Sequence, residues 1–482
     1  MKKVLLVVHT KLFFQRMLEF GQIVLESGQF EPVFHLAYKS GWEQIEQDIA
    51  LLKDRQFRIS EATRRSTTKS VQSAKKERKV SVKETIIEAI KIPFRIFPKG
   101  LRMRLLEIRR DLLTKNIFMN FVSIRCRLFE IRQIYHVEKA DIIVLSIDVP
   151  TWDTGVFIRA ARIENIPTLV ALSQTGPLDE ASYVYSQIEA LSTKRPWNYL
   201  LGMMYPQWVC RRDNKRFLMM SSGLTFVKEL LGVSMPQPWI ESSSHADAVL
   251  IESEAYLDRG ISVGLKASNL FLTGLPFHDF LYSVQLKKEE NLSRIYSLHA
   301  LEPGKPIILT SLLPKYHGRD NSGPEHASYE DMVEYWMRSL SGYKQYHAIL
   351  SLHPSQQYSD YAYVEKWGVK ITRMPITEIM PLCHVFVTSL SSTITMAIAC
   401  GVPVVNYDFV RYGNTHYDSA PGVIKVERKQ EFKEALDKIL NDNSYYQEIA
   451  RLQQGQAKRW GMVDGQAGGR IVNVMNNLIM KN

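Results

Sequence analysis

Three stretches in the C-terminal half combine residue types that can hold a phosphate. Ser391-Ser392-Thr393 stands between an apolar run and an apolar helical segment. Unpaired N–H groups at a helix start, with hydroxyls beside them, suit an anion, although Ser391 or Ser392 equally suits an ordinary N-cap. His353-Pro354 ends a second apolar run, and its imidazole can donate to a phosphate oxygen. Ser311 and Lys315 follow a third run and Arg373 a fourth, adding a hydroxyl and two cations. In the N-terminal half, His9, Asp148 and Asp153 are candidate proton acceptors. His9 directly follows the first apolar run. Asp148 stands just before Pro150, as a turn residue also would, and Asp153 precedes a helical segment that it could simply cap. The four cysteines, at 126, 210, 383 and 400, form no C-x-x-C pair, which argues against a zinc knuckle or thiol redox motif. No metal and no cofactor are expected.

These residues need elements that bring them to one edge. Val4 to Val8 is a continuous apolar run of the kind found in parallel strands covered on both faces. A helical pattern over Phe13 to Ser27, ended by Gly28, and a strand over Glu31 to Ala37 complete a βαβ opening. Residues 41 to about 135 break that rhythm. It resumes with strand Asp141 to Ser146, helix Thr154 to Glu164 and strand Thr168 to Leu172, and later with short strands at Ala248 to Ile251 and Leu270 to Thr273. Residues 185 to 240, rich in Trp and Met, read as helices and loops. A second series has strands at Ile307 to Thr310, His347 to Leu352, Lys370 to Thr372, Val385 to Thr388 and Val404 to Tyr407. Its helices fall at 329 to 341 (after the capping pair Ser328 and Asp331), 392 to 400 and 430 to 440. Two such series imply two doubly wound α/β domains, with ligands held outside the carboxyl ends of the strands.

Several segments occur in one order: DAVLIESEAYLDRG from Asp247, NLFLTGLPFHDFLY from Asn269, KPIILTS from Lys305, ILSLHPSQ from Ile349, VFVTSLSSTITMAIACGVPVVNYD from Val385 and GMVDGQAGGRIVNVM from Gly461. In this the chain resembles the GT-B superfamily of nucleotide-sugar enzymes, and within it bacterial capsule, sialic-acid and CDP-glycerol-type transferases. The resemblance implies two Rossmann-like domains facing a cleft. Residues 1–274 would form an acceptor-side domain with a basic, mostly helical insertion at about 41–135. Residues 275–460 would bind the nucleotide-sugar, and residues 461–482 would form a helix crossing back. It implies a metal-independent glycosyltransferase working on a bacterial surface glycan, as in capsule or lipopolysaccharide synthesis. Ser311, Lys315, His353, Pro354, Arg373 and Ser391 to Thr393 would then hold the donor, and His9, Asp148 or Asp153 would act as base. Relatives often carry a carboxylate for the nucleotide ribose four positions after the Ser-Ser pair. Here that position is Met396, which weighs against a uridine-linked donor and leaves a cytidine-linked one open. The acidic-acidic-Gly motif of sialyltransferases is matched poorly by Asp153-Thr154-Gly155. A UDP-sugar 2-epimerase of the same fold and a non-catalytic membrane scaffold are the alternatives.

Composition sets the remaining bounds. The chain has 482 residues, 45% hydrophobic and 23% charged, a globular balance that excludes a disordered or collagenous chain. Of the net charge of +11, residues 53 to 135 contribute +14, from 22 Lys/Arg against 8 Asp/Glu. With Ile and Phe at helical spacing around Ile86 to Phe97, this segment is expected to dock on an anionic membrane, or else to be a solvated excursion; nucleic acid ranks last, for want of a recognisable motif. The longest uncharged run, Ile379 to Tyr407, is interrupted by Pro381, Gly401 and Pro403 and reads as strand, turn, helix and strand rather than a membrane span. The expected location is cytoplasmic, peripheral on the inner face of the cell membrane.

Overall fold

A computed structural model describes residues 1–37, 42–63, 117–171, 176–315, 322–353 and 355–481. The chain divides into two compact units. One comprises Met1–Ser173, Ala181–Val249 and Met475–Asn482; the other comprises Gln174–Glu180 and Leu250–Val474. The expected domain boundary was 274/275.

The first sheet is built from β1 (Lys2–Val8), β2 (Phe30–Leu36), β3 (Arg58–Ile59), β4 (Ile142–Leu145) and β5 (Thr168–Val170). Beyond a hairpin of β6 (Val209–Arg212) and β7 (Lys215–Leu218), β8 (Ala248–Ile251) and β9 (Leu270–Leu272) extend it. Its order is β9-β8-β5-β4-β1-β2-β3, and the pairings from β8 to β3 are parallel. Val4 to Val8 are fully buried, as the apolar run requires. The helix Phe14–Glu26 lies on this sheet through Met17, Leu18, Phe20 and Val24. Gly21 lets it approach closely, since a Cβ there would fall 2.6 Å from the Phe34 ring.

The expected helical insertion is described only at its two ends, and each of them carries a helix. Residues 42–63 belong to the sheet layer. Helix Trp42–Asp54 leads into β3, which pairs with β2, and Leu52, Phe57 and Ile59 are buried. Arg58 of this strand donates to Glu31 and, at 3.0 Å, to the buried Glu138 carboxylate. Glu138 closes helix Ile117–Glu138, which packs on helices Thr154–Ile163 and Ser222–Leu230. Residues 64–116, with most of the basic segment, lie outside the described residues.

Residues 185 to 240 hold the hairpin that the sequence reading missed. Its two turn residues, Asp213 and Asn214, have φ of 47° and 60°, the conformation of a type I′ turn. The signal was present as Asp-Asn between two basic pairs, but Arg and Lys mask the strand alternation.

The second sheet contains β10 (Ile307–Thr310), β11 (His347–Ser351), β12 (Lys370–Thr372), β13 (Val385–Thr388), β14 (Val404–Tyr407) and β15 (Val423–Val426). The order β12-β11-β10-β13-β14-β15 is parallel throughout. Helix Tyr329–Ser341 begins as expected, with Ser328 Oγ accepting from Asp331 N at 3.1 Å. It buries Met332, Val333, Trp336 and Met337 against the sheet. The indole Nε1 of Trp336 donates to Thr310 Oγ1 at 3.0 Å, and that hydroxyl donates to Val387 O at 2.8 Å. One tryptophan thereby ties β10 to β13, the two strands between which the strand order reverses.

Among the described residues no helix is long and apolar enough to cross a membrane.

Candidate functional site

In the second unit, the loops after β10, β11, β12 and β13 leave the sheet at its carboxyl edge. His353, just beyond β11, and Arg373, just beyond β12, line one cavity of about 340 Å³ together with Gln356, Tyr358, Thr372 and Met374. A further cavity of about 540 Å³ shares Tyr358, Arg373 and Met374.

The His353 ring is oriented by its own loop. Ser355 N donates to Nδ1 at 3.1 Å, so the neutral ring carries its hydrogen on Nε2. Burial lowers its pKa from the ordinary histidine value, which favours that neutral form. His353 N donates to Gln356 Oε1 at 2.7 Å, and Gln356 Nε2 donates to Tyr361 Oη at 2.7 Å. Tyr361 meets Tyr329, whose hydroxyl donates to Leu313 O at 2.8 Å. The loops after β10 and β11 are thus held by one network. The Arg373 guanidinium lies over the Tyr358 ring at 5.3 Å, and among the described residues it pairs with no carboxylate. Lys315, in contrast, is engaged by Glu330 at 2.8 Å. Pro354 lies outside the described residues.

The β13 loop departs from the expected helix start. The helix is short, Ile394–Ala399, and its N-cap is Thr393 without a side-chain bond. Neither Ser391 nor Ser392 caps it. Ser391 Oγ instead accepts from Thr393 N at 3.2 Å and shares a 2.6 Å bond with Thr393 Oγ1, a local Ser/Thr turn. The preceding Leu390 has φ of 49°, held by its N–H donating to Asn406 Oδ1 at 3.0 Å. Ser392 is exposed, and Ser389 Oγ is buried without a partner among the described residues. Ser311 Oγ meets Thr388 Oγ1 at 2.8 Å. Met396 is buried within the helix, so its position is a core position rather than part of a ligand surface.

In the first unit, the carboxyl edge of β1, β2 and β4 collects buried polar groups. His9 Nδ1 lies 3.1 Å from Ser146 Oγ, and the ring meets the edge of Phe157 at 5.3 Å. His35, within β2, bonds Ser60 Oγ at 2.9 Å and tilts toward the same Phe157. Burial and then the nearby Arg127 hold His9 at about 3, and burial does the same for His35. Asp148 is fully buried. Its Oδ2 accepts from Ser244 N at 3.0 Å, and burial raises its pKa to about 6 against the opposing Ser244 bonds. Among the described residues His9 Nε2, His35 Nε2 and Asp148 Oδ1 have no hydrogen-bond partner. Asp153 differs: its carboxylate is 55% exposed, accepts from Arg127 Nε at 3.1 Å and makes no side-chain cap bond to the helix it precedes. The buried Lys228 ammonium donates to Pro150 O and so pins the loop carrying both aspartates.

Sequence reading missed His35 and Lys228. A histidine inside an apolar strand, FEPVFHL, was the available signal for His35. Lys228 resembles any surface lysine of an amphipathic helix until its burial is seen.

No protein-family model matches the sequence, and no curated protein does. Among solved structures, the chain is similar to S. aureus MnaA solved with UDP, at 13% identity and a TM-score of 0.53, over 100% of this chain and 98% of that one. It is similar also to a Listeria monocytogenes protein described as a UDP-N-acetylglucosamine 2-epimerase, at 12% identity and a TM-score of 0.50, over 100% and 97%. At these identities the likeness is one of fold: two α/β units, each built on a parallel sheet.

Proposed function

We propose that the protein is a GT-B glycosyltransferase that moves a sugar from a nucleotide-linked donor, cytidine- or uridine-linked, to a hydroxyl of a surface glycan. The observation that carries this reading is the cavity at the carboxyl edge of the second sheet that His353 and Arg373 both line, the latter pairing with no carboxylate among the described residues. A donor phosphate becomes more negative as its bond to the sugar breaks. A neutral imidazole donor and a guanidinium can meet that charge without a metal ion. The hydroxyls of Ser311 and of Ser391 to Thr393 offer further donors on the neighbouring loops. The acceptor hydroxyl attacks the anomeric carbon, the bond to phosphate oxygen breaks, and the hydroxyl proton passes to a base.

We assign that base to the edge of the first sheet, and to Asp148 ahead of His9. A carboxylate near 6 is matched to neutral pH, whereas an imidazole held near 3 is a weak acceptor. Asp153, exposed and engaged by Arg127, is the least suited of the three. The experiment is a thermal-shift screen with CMP, CDP, UDP and GDP. A ligand that binds only the native state raises stability by RT ln(1+[L]/Kd). No shift with any nucleotide would favour a non-catalytic scaffold instead.

The alternative reading is a UDP-sugar 2-epimerase, favoured by the similarity in fold to the Listeria protein. Met396, a buried residue where relatives often hold a ribose carboxylate, weighs against it. Conversion of a UDP-sugar with no acceptor present would establish the epimerase. Sugar transfer that requires an acceptor would exclude it. The membrane role expected for residues 53 to 135 stays a proposal.

A further inference from the structure

The helix Pro196–Met204, PWNYLLGMM, carries no charged residue. One face buries Asn198, Leu201 and Gly202; a Cβ at Gly202 would sit 2.8 Å from Val209 Cγ2, so the helix lies tight on the chain leading into β6. The other face presents Tyr199, Leu200, Met203 and Met204, which are 56%, 45%, 64% and 53% exposed. Their spacing of one and four residues makes them one continuous strip. A surface helix ordinarily turns polar residues outward, and a contiguous apolar strip in water marks a contact with something else.

The charge around the strip identifies what that is. Lys194 and Arg195 lead into the helix, and the β6–β7 hairpin carries Arg211, Arg212, Lys215 and Arg216. Between Leu191 and Met220 the only acidic residue is Asp213. Thr193 N donates to Arg216 O at 2.8 Å and Ser192 bridges to Phe217, so the hairpin is fastened to the segment that starts the helix. Lys194, Arg211, Lys215 and Arg216 are exposed. The nearby Glu229 carboxylate is occupied by Trp208 Nε1 and Gln207 Nε2, and an apolar strip with an excess of cations beside it is complementary to an acidic bilayer. Leu and Met enter the acyl boundary, Tyr sits at the headgroups, and Lys and Arg meet the lipid phosphates. Another copy of the chain would bring two sets of like charges together, which disfavours self-association through this face.

We propose that helix Pro196–Met204 and the β6–β7 hairpin form a docking surface for an anionic lipid bilayer. Its residues are distinct in sequence from 53 to 135, and the proposal does not depend on which reaction the protein performs.

The test is co-sedimentation of the full-length protein with vesicles of phosphatidylcholine containing phosphatidylglycerol, and with phosphatidylcholine alone. The wild type is expected to bind the anionic vesicles, more weakly as salt rises. The L200E/M203E variant should lose about tenfold or more in partition, and R211E/R216E should lose most of its low-salt binding. All four substituted residues are exposed, and unchanged melting temperatures check the fold. The proposal is overturned if the wild type ignores anionic vesicles or if L200E/M203E binds them as well as the wild type does. It is overturned equally if L200E/M203E dissociates an oligomer in light scattering while vesicle binding is unchanged, which would make the strip a protein interface. Nucleotide affinity, measured on the same variants, should not change.

Discussion

Ser311 and Thr388 share a 2.8 Å hydrogen bond across the point where the strand order of the second sheet reverses. His9 and Ser146 do the same across the reversal of the first sheet, at 3.1 Å. Open parallel sheets part their loops at these points and receive ligands there. In both units a side-chain bond between the two diverging loops fixes the floor of that crevice.

Replacing His353 by Ala should weaken nucleotide binding by about tenfold or more, the loss of one hydrogen bond to a charged group. Isothermal titration with CDP and UDP measures it. The melting temperature should hardly move, because among the described residues the ring hydrogen-bonds within its own loop. Wild-type affinity would remove His353 from the site.

Asp148→Asn should lower turnover by about 10²-fold if this carboxylate is the base. Wild-type activity should rise with pH through about 6, where the buried carboxyl ionises. The residual activity of the variant should lack that limb. A surviving limb at the same pH would place the base elsewhere.

The buried histidines make the fold sensitive to acid. His9, His35, His278 and His416 are each held near 3 chiefly by burial, against 6.5 in an unfolded chain. Below pH 6.5 the unfolded chain takes up protons that the native one refuses. The contribution is therefore complete above 6.5 and is lost as pH falls toward 3. Each histidine costs about 1.4 kcal/mol per pH unit within that window. Asp148 works in the opposite sense, losing its contribution as pH rises from 3.8 through about 6. Urea unfolding at a series of pH values should give a shallower slope for H9N/H35N than for the wild type. Equal slopes would mean that the two rings do titrate in the native state.

Gly155→Ala should destabilise the first unit, although alanine ordinarily favours a helix by about 1 kcal/mol over glycine. A Cβ at Gly155 would lie 2.0 Å from Val233 O. The helix Thr154–Ile163 must therefore shift, at a cost of about 1–3 kcal/mol. A melting temperature equal to or above that of the wild type would contradict this.

The central strands were legible because a parallel strand buried on both faces reads as a largely apolar run: Ile307–Thr310, Val385–Thr388 and Val404–Tyr407 fall where the sequence puts them, as does the edge strand Lys370–Thr372. β3 was not legible: it has two residues, and Arg58 makes it resemble part of the basic segment until Glu31 and Glu138 are seen beside it. In the candidate site, the positions after strands could be read directly. Partnerships could not. That Lys315 is occupied by Glu330, while among the described residues Arg373 meets no carboxylate, depends on residues apart in the chain. The same holds for the His353 tautomer, which a neighbouring backbone N–H decides.

Trp336, one of three tryptophans in the second unit, gives its carboxyl edge an optical probe, read as the difference from Trp336→Phe. Its ring is fully buried, and its only polar atom is bonded to Thr310, the residue before Ser311. An indole without water around it emits toward the blue, and its emission responds to the electric field across the ring. An anion arriving at the Ser311 edge changes that field through a single hydroxyl. Site occupancy can thus be followed in unlabelled protein.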